Sequence, residues 1–422
     1  MNAHIARYFS FIGSSAIAAA SLVACGGGNV DTTPPTVLLG TIAVSAMTNA
    51  PACGFDAVNV TISKVRFHTN FNAAPDASGW VELAFAKKIN LLNLATVLGG
   101  ATTDLGAVSL PVGNYTQMRL VLDANTSGTA NTVKLAGASA ELALETGTAL
   151  TAGYKMPIDL TVASGGTASA VLDFDACGSI QTRGTTYVLK PRARIIPAAL
   201  NGISGFISTA MLSSKVVITA QQNGGIVTTT SPNSTTGEFL LPRLPAGNYD
   251  VVINADAKAS AVIGAVPVAA TGATAVSTAA APITLATSAV SAITGKIIYT
   301  LPAVAPDDGT WASASQIIAA NTTVGNVATT ITYRFQPADV SSGAYAFNNL
   351  PRASVQFALY KSTLPLTLAA ATTSLTTGHY LVQAIASGFS NKVTTVAVGT
   401  GAASNNVNVA TANATLADIP MP

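Results

Sequence analysis

The chain has 422 residues, of which 9% are charged and 49% hydrophobic, with 20 Lys+Arg against 18 Asp+Glu. So sparse and balanced a charge set excludes the basic field that holds nucleic acid. The apolar share is spread through Ala-, Val- and Thr-rich stretches broken by Gly and Pro, which excludes membrane-spanning helices beyond the N-terminus.

At the N-terminus, Arg7 precedes "YFSFIGSSAIAAASLVAC", an apolar region ending at Cys25. Residues 1–24 read as a secretory signal peptide. "LVAC", Leu22 to Cys25, with "GGGN" directly after it, resembles the bacterial lipobox. The resemblance implies cleavage before Cys25, a lipid on that Cys, and a mature protein anchored to a membrane rather than spanning it. Gly26 stands where an inner-membrane retention signal would show Asp, so resemblance to Gram-negative lipoproteins implies an outer-membrane protein, facing either the periplasm or the cell surface. Residues 25–36, with "NVDTTPPT", form a tether. With Cys25 lipidated, Cys53 and Cys177 remain as an even pair in an oxidising compartment, and a disulfide between them is expected. It would close a loop of more than a hundred residues, stabilising by about 4 kcal/mol in the chain-entropy model.

Beyond the tether, short alternating apolar runs punctuated by turn residues predict an all-β protein of sandwich type. In "AVNVTISKVRFH", Val58, Val60 and Ile62 share one face, and Val65 and Phe67 continue it after a one-residue slip, which predicts a bulge. "LPVGNYTQMRLVL" predicts a Pro-Gly turn into a strand with Thr116, Met118, Leu120 and Leu122 as its apolar set. The order "VTISKVRFH", "GWVEL", "INLLNLATVLGG", "LPVGNYTQMRLVL", "LDFDACGSI", "YVLKPRARI" makes residues 37–200 resemble an N-terminal lipoprotein domain of bacteria and archaea known only as a domain of unknown function.

The turn recurs in "LPAGNYDVVINA", Leu244 to Ala255, feeding a half-buried strand in which Tyr249, Val251 and Ile253 point one way and Asp250 and Val252 the other. Neither copy carries a self-sufficient acid, base or nucleophile, so the device reads as a bend rather than a site. With "ISGFIS" and "TGEFLLPRL", residues 201–287 resemble a carboxypeptidase-regulatory-like domain, a small transthyretin-like (Ig-like) sandwich that implies no peptidase. "ITGKII" and "SGAYAFNNLPRASVQFALY" make residues 291–420 a second, divergent copy. It departs at Arg352 and Ala353, and an insertion between Leu350-Pro351 and Gly378, of loop or additional strands, would leave "GHYLVQAIASGF" as the displaced strand. The Ala/Thr/Ser-rich "VAATGATAVSTAAAPITLA" reads as weakly packed strand.

Catalytic signatures are scarce. His4 leaves with the leader, and neither His68, on a strand, nor His379, at a turn, stands in a known nucleophile motif. No metal or cofactor is expected; "GTGAAS", Gly399 to Ser404, lacks the third glycine of a dinucleotide fingerprint. The best polar pair is Asp173 and Asp175, which alternate onto one strand face. They could bind Ca²⁺ or act as acid and base, and otherwise pair with Arg119, Arg183, Arg192 or Arg194 or bond turn amides. Trp80 opens a strand and reads as core, whereas Trp311, in "APDDGTWASAS", reads as an exposed loop aromatic able to stack on a sugar. The expectation is a non-enzymatic lipoprotein presenting sandwiches to a cell-envelope protein or polysaccharide. A carbohydrate-binding accessory protein and a hydrolase using Asp173 and Asp175 are the alternatives.

Overall fold

A computed structural model describes residues 37–48, 54–94, 102–126, 129–196, 198, 201–300, 309–318, 329–370, 377–386, 388–393, 396–398, 402–404 and 406–422. His4, the leader, Cys25, the tether, Cys53 and the first three residues of Gly399 to Ser404 lie outside them. The chain divides into Met1–Val37 and one compact unit, Leu38–Pro422. That unit is built from sheets, with only three short helical turns among the described residues, Leu91–Asn93, Thr148–Ala152 and Thr209–Ser214.

The first part is a two-sheet sandwich. Its strands are β1 Leu39–Met47, β2 Phe55–His68, β3 Val81–Asn90, β4 Thr103–Pro111, β5 Gly113–Leu122 and β6 Thr132–Leu135. They continue with β7 Leu142–Thr146, β8 Tyr154–Val162, β9 Thr167–Phe174, β10 Ile180–Arg183, β11 Thr186–Leu189 and β12 Ala193–Ile196. One sheet has the order β12-β9-β1-β4, the other β10-β11-β7-β6-β2-β5-β8 with β3 also paired to β2. Period-2 alternation sends Ile42 and Val44 of β1, Val60 and Phe67 of β2, and Leu172 and Phe174 of β9 into one shared core. Each such fully buried side chain contributes ~1.5–3 kcal/mol. The bulge expected in β2 lies between Ile62 and Lys64. In β5 a second register shift falls between Tyr115 and Gln117, so Tyr115 joins Met118, Leu120 and Leu122 in the core, while the Thr116 hydroxyl donates to the Thr69 carbonyl instead.

Two further sandwiches follow in tandem, and they share one strand plan. The first has β13 Asn201–Phe206, β14 Val217–Gln222, β15 Gly225–Thr230, β16 Glu238–Pro242, β17 Gly247–Asn254, β18 Ala261–Val268 and β19 Gly272–Ala275. The second has β20 Val290–Tyr299, β21 Thr310–Ile318, β22 Thr329–Pro337 and β23 Ala344–Pro351. It continues with β24 Gln356–Leu359, β25 Ala369–Ala370, β26 His379–Ala386 and β27 Lys392–Val393. The small sheets are β16-β13-β19 and β23-β20 with Ala414–Thr415; the large ones begin β15-β14-β17-β18 and β22-β21-β26-β27.

Matching turns accompany the matching strands. Gly237 and Gly343 both have positive φ, 72° and 66°, and donate to the carbonyls of Asn233 and Asp339. The Asn233 and Asp339 side chains accept from the next turn amides, those of Thr235 and Thr236 and those of Ser341 and Ser342.

The Pro-Gly-Tyr device is resolved as a bend. Tyr115 donates to the Pro111 carbonyl at 3.0 Å and Tyr249 to the Pro245 carbonyl at 2.8 Å, in both cases four residues back. In the last sandwich Tyr380 donates to the Pro351 carbonyl at 2.7 Å, so Gly378-His379-Tyr380 occupies the place left empty after Leu350-Pro351. The intervening segment supplies β24, which pairs parallel with β18 of the preceding sandwich, and β25 beyond it. β17 is buried on both faces rather than one: Tyr249, Val251 and Ile253 face their own core, and Val252 lies in the core of the following sandwich.

Candidate functional site

The end of β9 begins the site. Asp173 stands cross-strand from Arg194 of β12, whose Nε and Nη2 donate to one carboxylate oxygen, Oδ2, at 3.1 and 2.9 Å. Burial pushes the Asp173 carboxyl up and Arg194 opposes it, with burial the larger effect. Asp175 does not continue the strand. It opens the turn to β10: its Oδ1 accepts from the Gly178 amide at 2.8 Å, its backbone carbonyl accepts from Ser179, and its Oδ2 lies 3.3 Å from Arg192 Nη1. Of the four arginines considered, two therefore serve these carboxylates. Arg119 instead bonds Gln117 Oε1 and the Gly153 and Ala73 carbonyls, and Arg183 bonds Glu145.

Trp311 departs from its expected setting. It lies within β21, paired with Pro337 of β22 and Ile385 of β26, and is 9% exposed. Hydrogen bonding to two neighbouring strands overrides the turn-rich composition before it. Its ring stacks on Phe335 of β22 at 19° with centroids 6.3 Å apart, and Arg192 lies over Phe335 at 4.2 Å and over Trp311 at 5.9 Å. The buried indole N–H of Trp311 and hydroxyl of Tyr333 have no hydrogen-bond partner among the described residues. Trp80 is half-buried rather than core: it donates to the Ala74 carbonyl and lies under Arg66 at 4.5 Å and Arg119 at 5.5 Å.

Asp173, Asp175 and Trp311, far apart in sequence, line one cleft of about 840 Å³. Its walls come from all three sandwiches: Tyr154 and Arg192 to Arg194 from the first, Lys215 and Ile226 to Thr229 from the second, and Tyr333 to Pro337 from the third. Arg334 completes a third ion pair, 3.8 Å from Asp256, and burial lowers the pKa of both Arg192 and Arg334. Three arginines thus meet three aspartates, and Lys215, exposed at a left-handed φ of 48°, is a fourth cation on the wall. The engaged carboxylates and the guanidinium laid on aromatic faces are groups that can recognise a polar or charged ligand.

Cys177, also on the wall, is disulfide-bonded; its expected partner Cys53 lies outside the described residues. His68 Nδ1 accepts from the Asn70 amide and Nε2 donates to the Ser78 carbonyl; His379 Nδ1 meets the Thr377 carbonyl. Among the described residues no three His, Cys, Asp or Glu gather as a metal site, and no helix is long and apolar enough to cross a membrane. Sequence reasoning missed Arg192 as the centre of the wall. The "KPRAR" run carried the signal, since it sets two arginines two positions apart, Arg192 just before β12 and Arg194 on it.

Among solved structures, the chain is similar to the TIE protein of Bacillus anthracis, at 8% identity over 93% of this chain and 76% of that one, with a TM-score of 0.14. Similar too are the Bacillus cereus major pilin subunit BcpA, at 8% identity over 91% and 99% with a TM-score of 0.14, and the Corynebacterium diphtheriae major pilin SpaA. The SpaA likeness is 12% identity over 90% and 99%, with a TM-score of 0.16. No curated protein matches the chain. Residues 40–191, which hold most of the first sandwich, match the family described as Domain of unknown function (DUF4382), and this part of the chain is a DUF4382 domain.

Proposed function

We propose that the protein is a non-enzymatic lipoprotein of the outer membrane that presents tandem β-sandwiches for binding, adhesion or assembly in the cell envelope. The observation that carries this reading is the cleft where the three sandwiches meet: its carboxylates are held by arginines, and one of these, Arg192, lies against two aromatic faces. Such a wall binds and orients a partner, whereas acid–base work needs a carboxyl free to exchange a proton with substrate. Lipidation at Cys25, a Cys53–Cys177 disulfide and carboxypeptidase-regulatory-like identity for the second and third sandwiches belong to the same proposal.

The test uses the full chain in cells. Palmitate labelling is expected for the parent and lost in Cys25→Ala, and envelope fragments are expected to retain the purified lipoprotein less well after Arg192→Ala. Equal retention by Arg192→Ala of native fold overturns the cleft's part, and an unlabelled parent chain overturns the anchor.

A carbohydrate ligand is the second reading, favoured by Trp311, Phe335, Asn254, Asn348 and Asn349 in one cleft. Here Arg192, covering Phe335, is the group that meets the sugar, so a carboxylated glycan is preferred to a neutral one. The hydrolase alternative draws no support from Asp173 and Asp175 as they are held.

A further inference from the structure

The end of the first sandwich that receives the chain from Cys25 is apolar. β1 starts there, β4 ends and β5 starts around the turn at Val112, and β8 ends and β9 starts around the turn at residues 163–166. Three backbone bonds tie these pieces together: the Val112 N–H donates to the Leu38 carbonyl at 3.0 Å, that of Gly165 to the Leu39 carbonyl at 2.8 Å, and that of Thr41 to the Gly166 carbonyl at 2.9 Å. Leu38 is 54% exposed, Leu39 51% and Val112 39%, with Pro111 and Ala163 exposed at the two turns. Residues 38–41, 110–114 and 161–166 hold no charged side chain, and the nearest charge along the strands that meet here is Asp159 of β8. β9 rises from Thr167 at this end to Asp173 at the cleft, about 20 Å away.

We propose that Leu38, Leu39 and Val112 sit in the headgroup and upper acyl layer of the lipid leaflet that holds the anchor, so that the first sandwich stands on the membrane with the cleft at its far end. This rests on the anchored-lipoprotein reading above and adds how the folded part meets its membrane. The occupant follows from the chain itself. Leu38 is where the polypeptide from Cys25 enters the sandwich, and that stretch reaches at most about 45 Å, so an acylated Cys25 keeps this end close to lipid. A bilayer interface takes aliphatic side chains without demanding a complementary shape and rejects charge, which is the pattern at this end. Seating it presents Asp173, Arg192 and Lys215 away from the lipid, where an envelope partner can reach them.

The experiment reconstitutes the full lipoprotein into vesicles of phosphatidylethanolamine and phosphatidylglycerol, with and without a lipid carrying a nitroxide near the headgroup end of its acyl chain. The environment-sensitive fluorophore NBD is attached to Val112→Cys or, for comparison, to Lys215→Cys at an exposed position on the cleft wall. The label at position 112 is expected to shift to the blue and to be quenched by the nitroxide about threefold or more above the label at position 215. Adding Leu39→Glu, also at an exposed position, is expected to reduce that quenching several-fold. Equal quenching at the two positions overturns the seating. A blue shift at position 112 that escapes the nitroxide and fades on dilution overturns the lipid in favour of a second copy of the chain. Flotation of the same vesicles separates the two levels: protein that floats with an unquenched label at position 112 overturns this inference alone, whereas protein that does not float overturns the anchor and the seating with it.

Discussion

Three tyrosine hydroxyls, at Tyr115, Tyr249 and Tyr380, close the same kind of bend onto a proline carbonyl. Removing one leaves a carbonyl without its donor, so each Tyr→Phe variant is expected to lose about 1–2 kcal/mol, read as a lower urea midpoint at unchanged slope. Asp173 depends on its cation in a different way. Arg194→Ala strands a buried carboxylate and is expected to cost about 2–3 kcal/mol, discounted because Arg194 is itself partly exposed; adding Asp173→Asn should restore part of the loss. Among the described residues no cation pairs with Asp250. It is 3% exposed, accepts from the Ala265 amide at 3.2 Å, and burial pushes its pKa up to about 6. Between its unfolded value, near 3.8, and about 6, the folded state holds more protons than the unfolded one, so stability falls as pH rises across that window. The total is about 3 kcal/mol, and Asp250→Asn should remove that part of the slope in chemical denaturation measured from pH 4 to 7.

At the scale of the element, two kinds of glycine predict different costs. A Cβ on Gly237 would sit 2.0 Å from the Ile207 carbonyl oxygen and one on Gly343 1.9 Å from that of Ile297, while Gly165, also at positive φ, has nothing within 4 Å. Alanine at Gly237 or Gly343 must move backbone and is expected to cost about 3 kcal/mol or more, against about 1 kcal/mol at Gly165, by the same urea midpoints. Elements were legible wherever local chemistry decides them. The phase slip after Ile62 shows the bulge, and Pro, Gly and Tyr in fixed order show the bend, because neither needs a distant partner. The same reasoning misplaced Trp311, since a Gly- and Asp-rich approach reads as loop until Phe335 and Ile385 are known to flank its strand. It also took β17 as half-buried, because the second face, with Val252, is covered by residues a hundred positions later in the chain.

Across the molecule, the cleft was legible only as parts. Asp173, Asp175 and Trp311 were each picked for their chemistry, and what joins them is the packing of three sandwiches, which alternation within a strand does not encode. The joint between the second and third sandwiches is itself specific. Val252 and Val262 of the second lie in the core of the third, β24 of the third extends the second's sheet, and Gln221 and Asn254 bond the backbone of β22. The two repeats should therefore unfold together. Gln221→Ala leaves the Thr332 N–H and carbonyl without partners, at about 1–3 kcal/mol, and Asn254→Ala takes the donor from the Tyr333 carbonyl. Each side chain also bonds one hydroxyl of its own sandwich, Gln221 that of Thr219 and Asn254 that of Ser260, so part of the loss falls on the second sandwich and the rest on coupling. In scanning calorimetry the parent is expected to show one transition for the repeats and the double variant two, with the calorimetric enthalpy then exceeding the van't Hoff value. A single, merely shifted transition in the double variant would mean that the apolar contacts and the shared β24 suffice to couple the pair.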